Sequence, residues 1–137
     1  MIDYVVNNAF GCIVYQNALV TQYKMSNLSY IKKMCIAHLF TYEGYLKAVQ
    51  KNLGKRYKIP VAINSNTLFI PLKRSRDYDN IWVNFASITD IHELDHSIEV
   101  VFVSKRKLYL DISMKSLRKQ IKYLEAINNV KVKHFHF

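Results

Sequence analysis

Between Gly44 and Arg76 the chain carries eight cations and no acidic residue: Lys47, Lys51, Lys55, Arg56, Lys58, Lys73, Arg74 and Arg76. Lysine and arginine gathered in this way are suited to polyanions, because each phosphate they neutralise releases condensed counterions. Lys47, Lys51 and Lys55 recur every four residues, which makes one stripe if a helix persists through them. Like charges at that spacing repel, and a bound anion offsets the repulsion. A plain solvated face is the alternative, and the length of the acid-free window favours a polyanion site. Lys105-Arg106-Lys107 sits at the tip of an expected hairpin, where it either enters a DNA groove or serves as a polar turn against edge aggregation. Tyr42, Tyr45 and Tyr57 interleave with the basic run and are expected to pack rather than stack on bases.

A second pattern invites a different chemistry. His92-Glu93-Leu94-Asp95-His96 matches the H-E-x-x-H signature, in which two imidazoles on one helical face hold zinc and the glutamate acts as general base. Here the five residues fall between Ile88–Ile91 and Ile98–Val103, both strand-like, so a hairpin turn is expected and no zinc site. Asp95 adds a charge within the motif, and neither His134 nor His136 is marked as a third ligand. There is no Gly-rich phosphate loop, no G-x-S-x-G elbow and no paired-carboxylate signature. His38 is expected to be a satisfied core histidine and Trp82 to be core. The expectation is a protein that is not an enzyme, with no cofactor, no metal and no small-molecule substrate.

The whole chain has the same bias. Twenty Lys and Arg stand against ten Asp and Glu in 137 residues, a formal charge of +10. With 50% hydrophobic residues this is a folding chain rather than a basic tail, long enough for one domain over 1–137. No run approaches the roughly 18 apolar residues of a membrane span. The start, Met1–Asn8, lacks the basic opening of a secretory signal. Cys12 and Cys35 form no Cys-x-x-Cys pair, and reduced thiols in a cytoplasmic protein are the expectation.

The elements that must position the cations follow from periodicity. Ile2–Val6, Gly11–Tyr15 and Ala18–Met25 form a strand meander. Leu28, Ile31, Cys35, Leu39, Tyr42, Leu46, Val49 and Leu53 then share one helical face. Ser26 or Asn27 caps its start, Gly54 its end, and a break near Thr41–Gly44 is compatible with Gly44. Ile59–Ile63 and Thr67–Leu72 make a hairpin about Asn64-Ser65-Asn66, followed by strands at Asn80–Phe85, Ser87–Ile91 and Ile98–Val103. Leu108, Leu110 and Ile112 alternate with Lys107, Tyr109 and Asp111 as a half-buried strand. Met114, Leu117, Ile121 and Leu124 share the face of a last helix, with Lys115, Arg118, Lys119 and Lys122 mostly outside it. Val130–Phe137 is either a further strand or loose. The class is α+β: an antiparallel sheet, curled or half-barrel, with one helical region after the N-terminal strands and a C-terminal helix.

In order and spacing, these segments resemble the ComK competence transcription factor family over about 35–122. The likeness is carried by Asn80-Ile-Trp-Val-Asn-Phe-Ala-Ser-Ile-Thr-Asp-Ile-His-Glu-Leu94 and by the strands at Glu99–Val103 and Leu108–Ile112. Ser113-Met-Lys-Ser-Leu-Arg-Lys-Gln120 continues it. Upstream, Cys35, Tyr42 and Gly44 keep a cysteine, aromatic and glycine spacing, and Lys58-Ile-Pro-Val and Phe69-Ile-Pro71 match family strand steps. The resemblance implies an activator of DNA-uptake genes that recognises AT-rich boxes through the minor groove of double-stranded DNA, working as paired dimers. Two departures are visible. Gly44 is followed by Tyr45 and Leu46 before Lys47 rather than by adjacent basic residues, and the family's C-terminal extension, which carries signals for adaptor-guided proteolysis, does not follow the last helix. A short, divergent member is the expectation. The runner-up is a β-sheet interaction module of pleckstrin-like outline that binds an anionic lipid or an acidic protein.

Overall fold

The computed structural model describes residues 1–55 and 57–135, with side chains as far as Lys133. Three N-terminal strands, β1 (Ile2–Asn8), β2 (Gly11–Gln16) and β3 (Leu19–Tyr23), form the expected meander. Gly11 makes the first turn possible. Its φ of +140° suits glycine, and a Cβ there would lie 2.1 Å from the Tyr23 carbonyl oxygen.

The single expected helical region is two helices, α1 (Asn27–Ala37) and α2 (Tyr42–Leu53). Ser26 caps α1 by accepting the Ser29 N–H, and Thr41 caps α2 by accepting the Gly44 N–H. Between them Leu39 adopts φ +71° and is 96% exposed, so it leaves the apolar face assigned to it from spacing. His38 is likewise not a core histidine. It is exposed at the end of α1, with Nδ1 2.8 Å from the Met34 carbonyl oxygen. Gly54 ends α2 at φ +70°, as expected. Lys55 therefore lies beyond the helix, and the Lys47, Lys51, Lys55 stripe is broken.

The remaining strands are β4 (Val61–Asn64), β5 (Thr67–Pro71), β6 (Ile81–Asn84), β7 (Ile88–Glu93), β8 (Ile98–Phe102) and β9 (Lys107–Leu110). A 3-10 turn at Phe85–Ser87 separates β6 from β7. The class is α+β, as expected, and its antiparallel strands divide into two sheets, ordered β3-β2-β1-β6-β5-β4 and β7-β8-β9. Strand alternation explains why both are needed. In the β1–β6 register Val5 pairs with Trp82 and Tyr4 with Val83. Val5 and Trp82 face the helices, in a core with Ile31, Cys35, Val49 and Phe69. Tyr4 and Val83 face the other way, onto Ile98, Val100, Phe102 and Leu110 of the second sheet.

Helix α3 (Met114–Phe135) spans 22 residues, so the expectation of a strand or loose tail from Val130 is corrected over 130–135. His136 and Phe137 lie outside the described residues. Leu124 and Ile127 are buried, continuing the three-to-four spacing begun at Leu117. Lys131 extends the attachment: its ammonium bonds the Ala62 carbonyl and lies 5.2 and 5.3 Å from the Phe40 and Tyr45 ring centres. Burial lowers its pKa.

Candidate nucleic-acid interface

The cations of the acid-free window reach the surface from three segments. On α2, Tyr42, Tyr45 and Val49 point inward, which turns Lys47 and Lys51 to solvent. These two line a shallow hollow with Gln50 and Gly54, and among the described residues no other cation lines it. The link from α2 to β4 carries Lys55, Tyr57 and Lys58. Arg56, also expected at the site, lies outside the described residues. The loop from β5 to β6, residues 72–80, carries Lys73, Arg74 and Arg76.

That loop is fixed by buried asparagines. Asn80 is fully buried, and its Oδ1 accepts the N–H groups of Leu72 and Lys73 at 2.9 and 2.8 Å. The Asn80 carbonyl accepts from Asn27 Nδ2 at 2.7 Å, and the Asn27 N–H is held by Asn7 Oδ1 at 2.7 Å. Asn7 Nδ2 in turn donates to the Tyr78 carbonyl at 2.8 Å. Meeting backbone groups in this way offsets much of the cost of burying these amides, although Asn80 Nδ2 has no partner among the described residues. The same bonds hold the cationic loop against the end of β1 and the start of α1.

The link and the loop face each other across two adjoining hollows. One, of about 460 Å³, is lined by Lys55, Tyr57, Lys58, Ser116, Lys119 and Tyr123, among others. The next, of about 470 Å³, shares Tyr57 and Lys58 and adds Arg74, Ser75, Arg76 and Asp77. The two hollows, together the groove, meet at Lys58 and at Tyr57, which is 75% exposed, and cations line both.

Not every expected cation is equally available. Lys73 bonds Asp79, which raises the lysine's pKa and lowers the aspartate's. Arg74 lies 3.7 Å from Asp77. Tyr42 and Tyr45 are buried, and Tyr45 donates to the Pro60 carbonyl at 2.7 Å, so these two pack as expected. At the β8–β9 tip Arg106 turns inward to Asp3, so that turn does not present three free cations.

Lys119 joins the groove from α3. Its position outside the apolar face of the last helix was visible in the sequence, but nothing there indicated which other segment it would meet. The H-E-x-x-H residues do not share a helical face: His92 is in β7 and His96 follows in the turn to β8. Among the described residues no group of three His, Cys, Asp or Glu could hold a metal ion, and no helix is long and apolar enough to cross a membrane.

No curated protein and no solved structure matches the chain. The family model described as ComK protein matches residues 5–131, a wider span than the 35–122 of the resemblance, taking in most of the N-terminal meander and nearly all of α3. The chain belongs to the ComK family.

Proposed function

We propose that this protein is a sequence-selective, DNA-binding transcriptional regulator of competence and DNA-uptake genes, acting in the cytoplasm without catalytic chemistry. Lys47, Lys51, Lys55, Arg56, Lys58, Lys73, Arg74 and Arg76 supply its contacts to phosphates and groove, with Lys73 weakened by its bond to Asp79. The observation that carries the reading is the groove, where Lys55, Lys58, Arg74 and Arg76 converge from two separate segments. Membership in a family of competence transcription factors supports it.

The AT-rich, minor-groove part of the proposal has a physical basis. A-tracts narrow the minor groove and deepen its negative potential, and that attracts inserted arginine or lysine. Arg74, with 74% of its side chain exposed on a loop braced at its base, is suited to such insertion once it exchanges its 3.7 Å pairing with Asp77 for the DNA. Paired dimers on spaced boxes complete the proposal.

The test is titration of the protein into a duplex with spaced A-tract and T-tract boxes and into a GC-rich duplex of equal length, each at low and near-physiological salt. The expected result is a preference for the AT-rich duplex that survives added salt. Equal binding that vanishes with salt would overturn the proposal, and binding to anionic vesicles instead would favour the interaction module.

A further inference from the structure

The end of the groove nearest α3 is built differently from the rest. Gln120 Nε2 donates to the Lys58 carbonyl at 2.9 Å and to the Pro71 carbonyl at 3.1 Å, tying helix, link and β5 together beneath the hollow. Lys55 is exposed, and its ammonium rests over the hollow's wall, 4.9 Å from the ring centre of Tyr123. Tyr123 is 5% exposed, and its hydroxyl has no hydrogen-bond partner among the described residues. Ser116 Oγ accepts from Ser113 at 3.0 Å, which leaves its own hydrogen to donate. Among the described residues lining this hollow there is no carboxylate, although three are lysines.

We propose that this hollow is a phosphate seat, formed by Lys55 and Lys58 on one wall and Lys119 and Ser116 on the other, and that it holds a phosphodiester of the DNA backbone. Tyr123 is a positioning residue, since its ring places the Lys55 ammonium at the rim. The proposal rests on the DNA-binding reading and adds α3 to the contact surface. A phosphate here fixes the position of the duplex along the groove and carries no sequence information, leaving the Arg74–Arg76 end to the base edges. The chemistry is shared by a free nucleotide phosphate, and the experiment separates the two sources.

The experiment measures affinity for AT-rich and GC-rich duplexes against salt, for the wild type, Lys119→Ala and Lys133→Ala. Both lysines are exposed, and Lys133 stands about 21 Å along α3 from Lys119 at 1.5 Å per residue. Lys119→Ala is expected to lower the slope of log affinity against log salt by about 0.9, or roughly eightfold in affinity at 0.1 M salt. The loss should be equal on both duplexes, and Lys133→Ala should behave as the wild type. An unchanged slope for Lys119→Ala, with AT preference intact in the wild type, overturns the seat and leaves the DNA reading standing. No AT preference in the wild type overturns that reading itself. A parallel arm titrates dAMP, and saturable binding of dAMP abolished by Lys119→Ala would assign the hollow to free nucleotide instead.

Discussion

Asn80 holds Lys73 by its backbone: the buried Oδ1 accepts the Lys73 N–H at 2.8 Å while also accepting the Leu72 N–H at 2.9 Å. One side chain thereby closes the base of the loop that carries Lys73, Arg74 and Arg76. The charge of that loop is a property of composition, but its position is a property of this amide.

Asn80→Ala removes the acceptor and leaves the Lys73 N–H without its bond. Losing a buried partner costs roughly 1–3 kcal/mol. Thermal unfolding is expected to fall by on the order of 6 °C. DNA affinity at constant salt should fall as well, because the loop must then be ordered on binding. Unchanged melting would show that the loop is held by other means.

Asp3 joins the two sheets. Its carboxylate, 1% exposed, accepts from Arg106 Nη1 at 2.6 Å, Ser87 Oγ at 2.6 Å and Ser104 Oγ at 2.5 Å. Arg106 also donates to the Asn17 carbonyl at 2.7 Å. Removing one member of a buried ion pair leaves the other uncompensated, at a cost of about 3–5 kcal/mol. Asp3→Ala should therefore be the more damaging of these two substitutions in chemical denaturation. Stability within about 1 kcal/mol of the wild type would contradict this account of how the sheets are joined.

The cysteines should be silent in the folded protein. Cys12 and Cys35 are both fully buried and unbridged, and burial raises both thiol pKa values, that of Cys35 to about 11. The thiolate is the reactive form, so a thiol reagent near pH 8 should label neither residue until denaturant is added. It should then label both. Labelling in native buffer would contradict the packing of α1 against the sheet.

The sequence was most legible where local chemistry decides. Ser26 and Gly54 were readable as caps because a side-chain oxygen and a left-handed glycine are what helix ends require. The break between α1 and α2 was harder to place. Leu39 fits the apolar spacing, yet it is the residue that turns left-handed and leaves the core. The second sheet was not legible, since alternation gives each strand two faces but does not say whether the outer one meets water or another sheet. The tail past Val130 was misjudged because its hold depends on Lys131 reaching Ala62, a contact 69 residues away in sequence.

For the candidate site, the cations were legible as a list and their grouping was not. Lys47 and Lys51 are close to Lys55 in sequence but line a different hollow. Lys119 is 61 residues from Lys58 and lines the same one. Asn7, Asn27 and Asn80 look like ordinary polar residues until their amides, two of them buried, are seen to converge on one loop.

The most direct test of the groove as the DNA surface is the salt dependence of affinity for the AT-rich duplex, comparing the wild type with the triple variant Lys55→Ala, Lys58→Ala, Arg76→Ala. All three side chains are exposed, so the fold should survive, as circular dichroism can check. If each contacts a phosphate, the slope of log affinity against log salt should flatten by about 2.7, at roughly 0.9 per contact. An unchanged slope in a folded variant that still binds would contradict the account and place the DNA on another face.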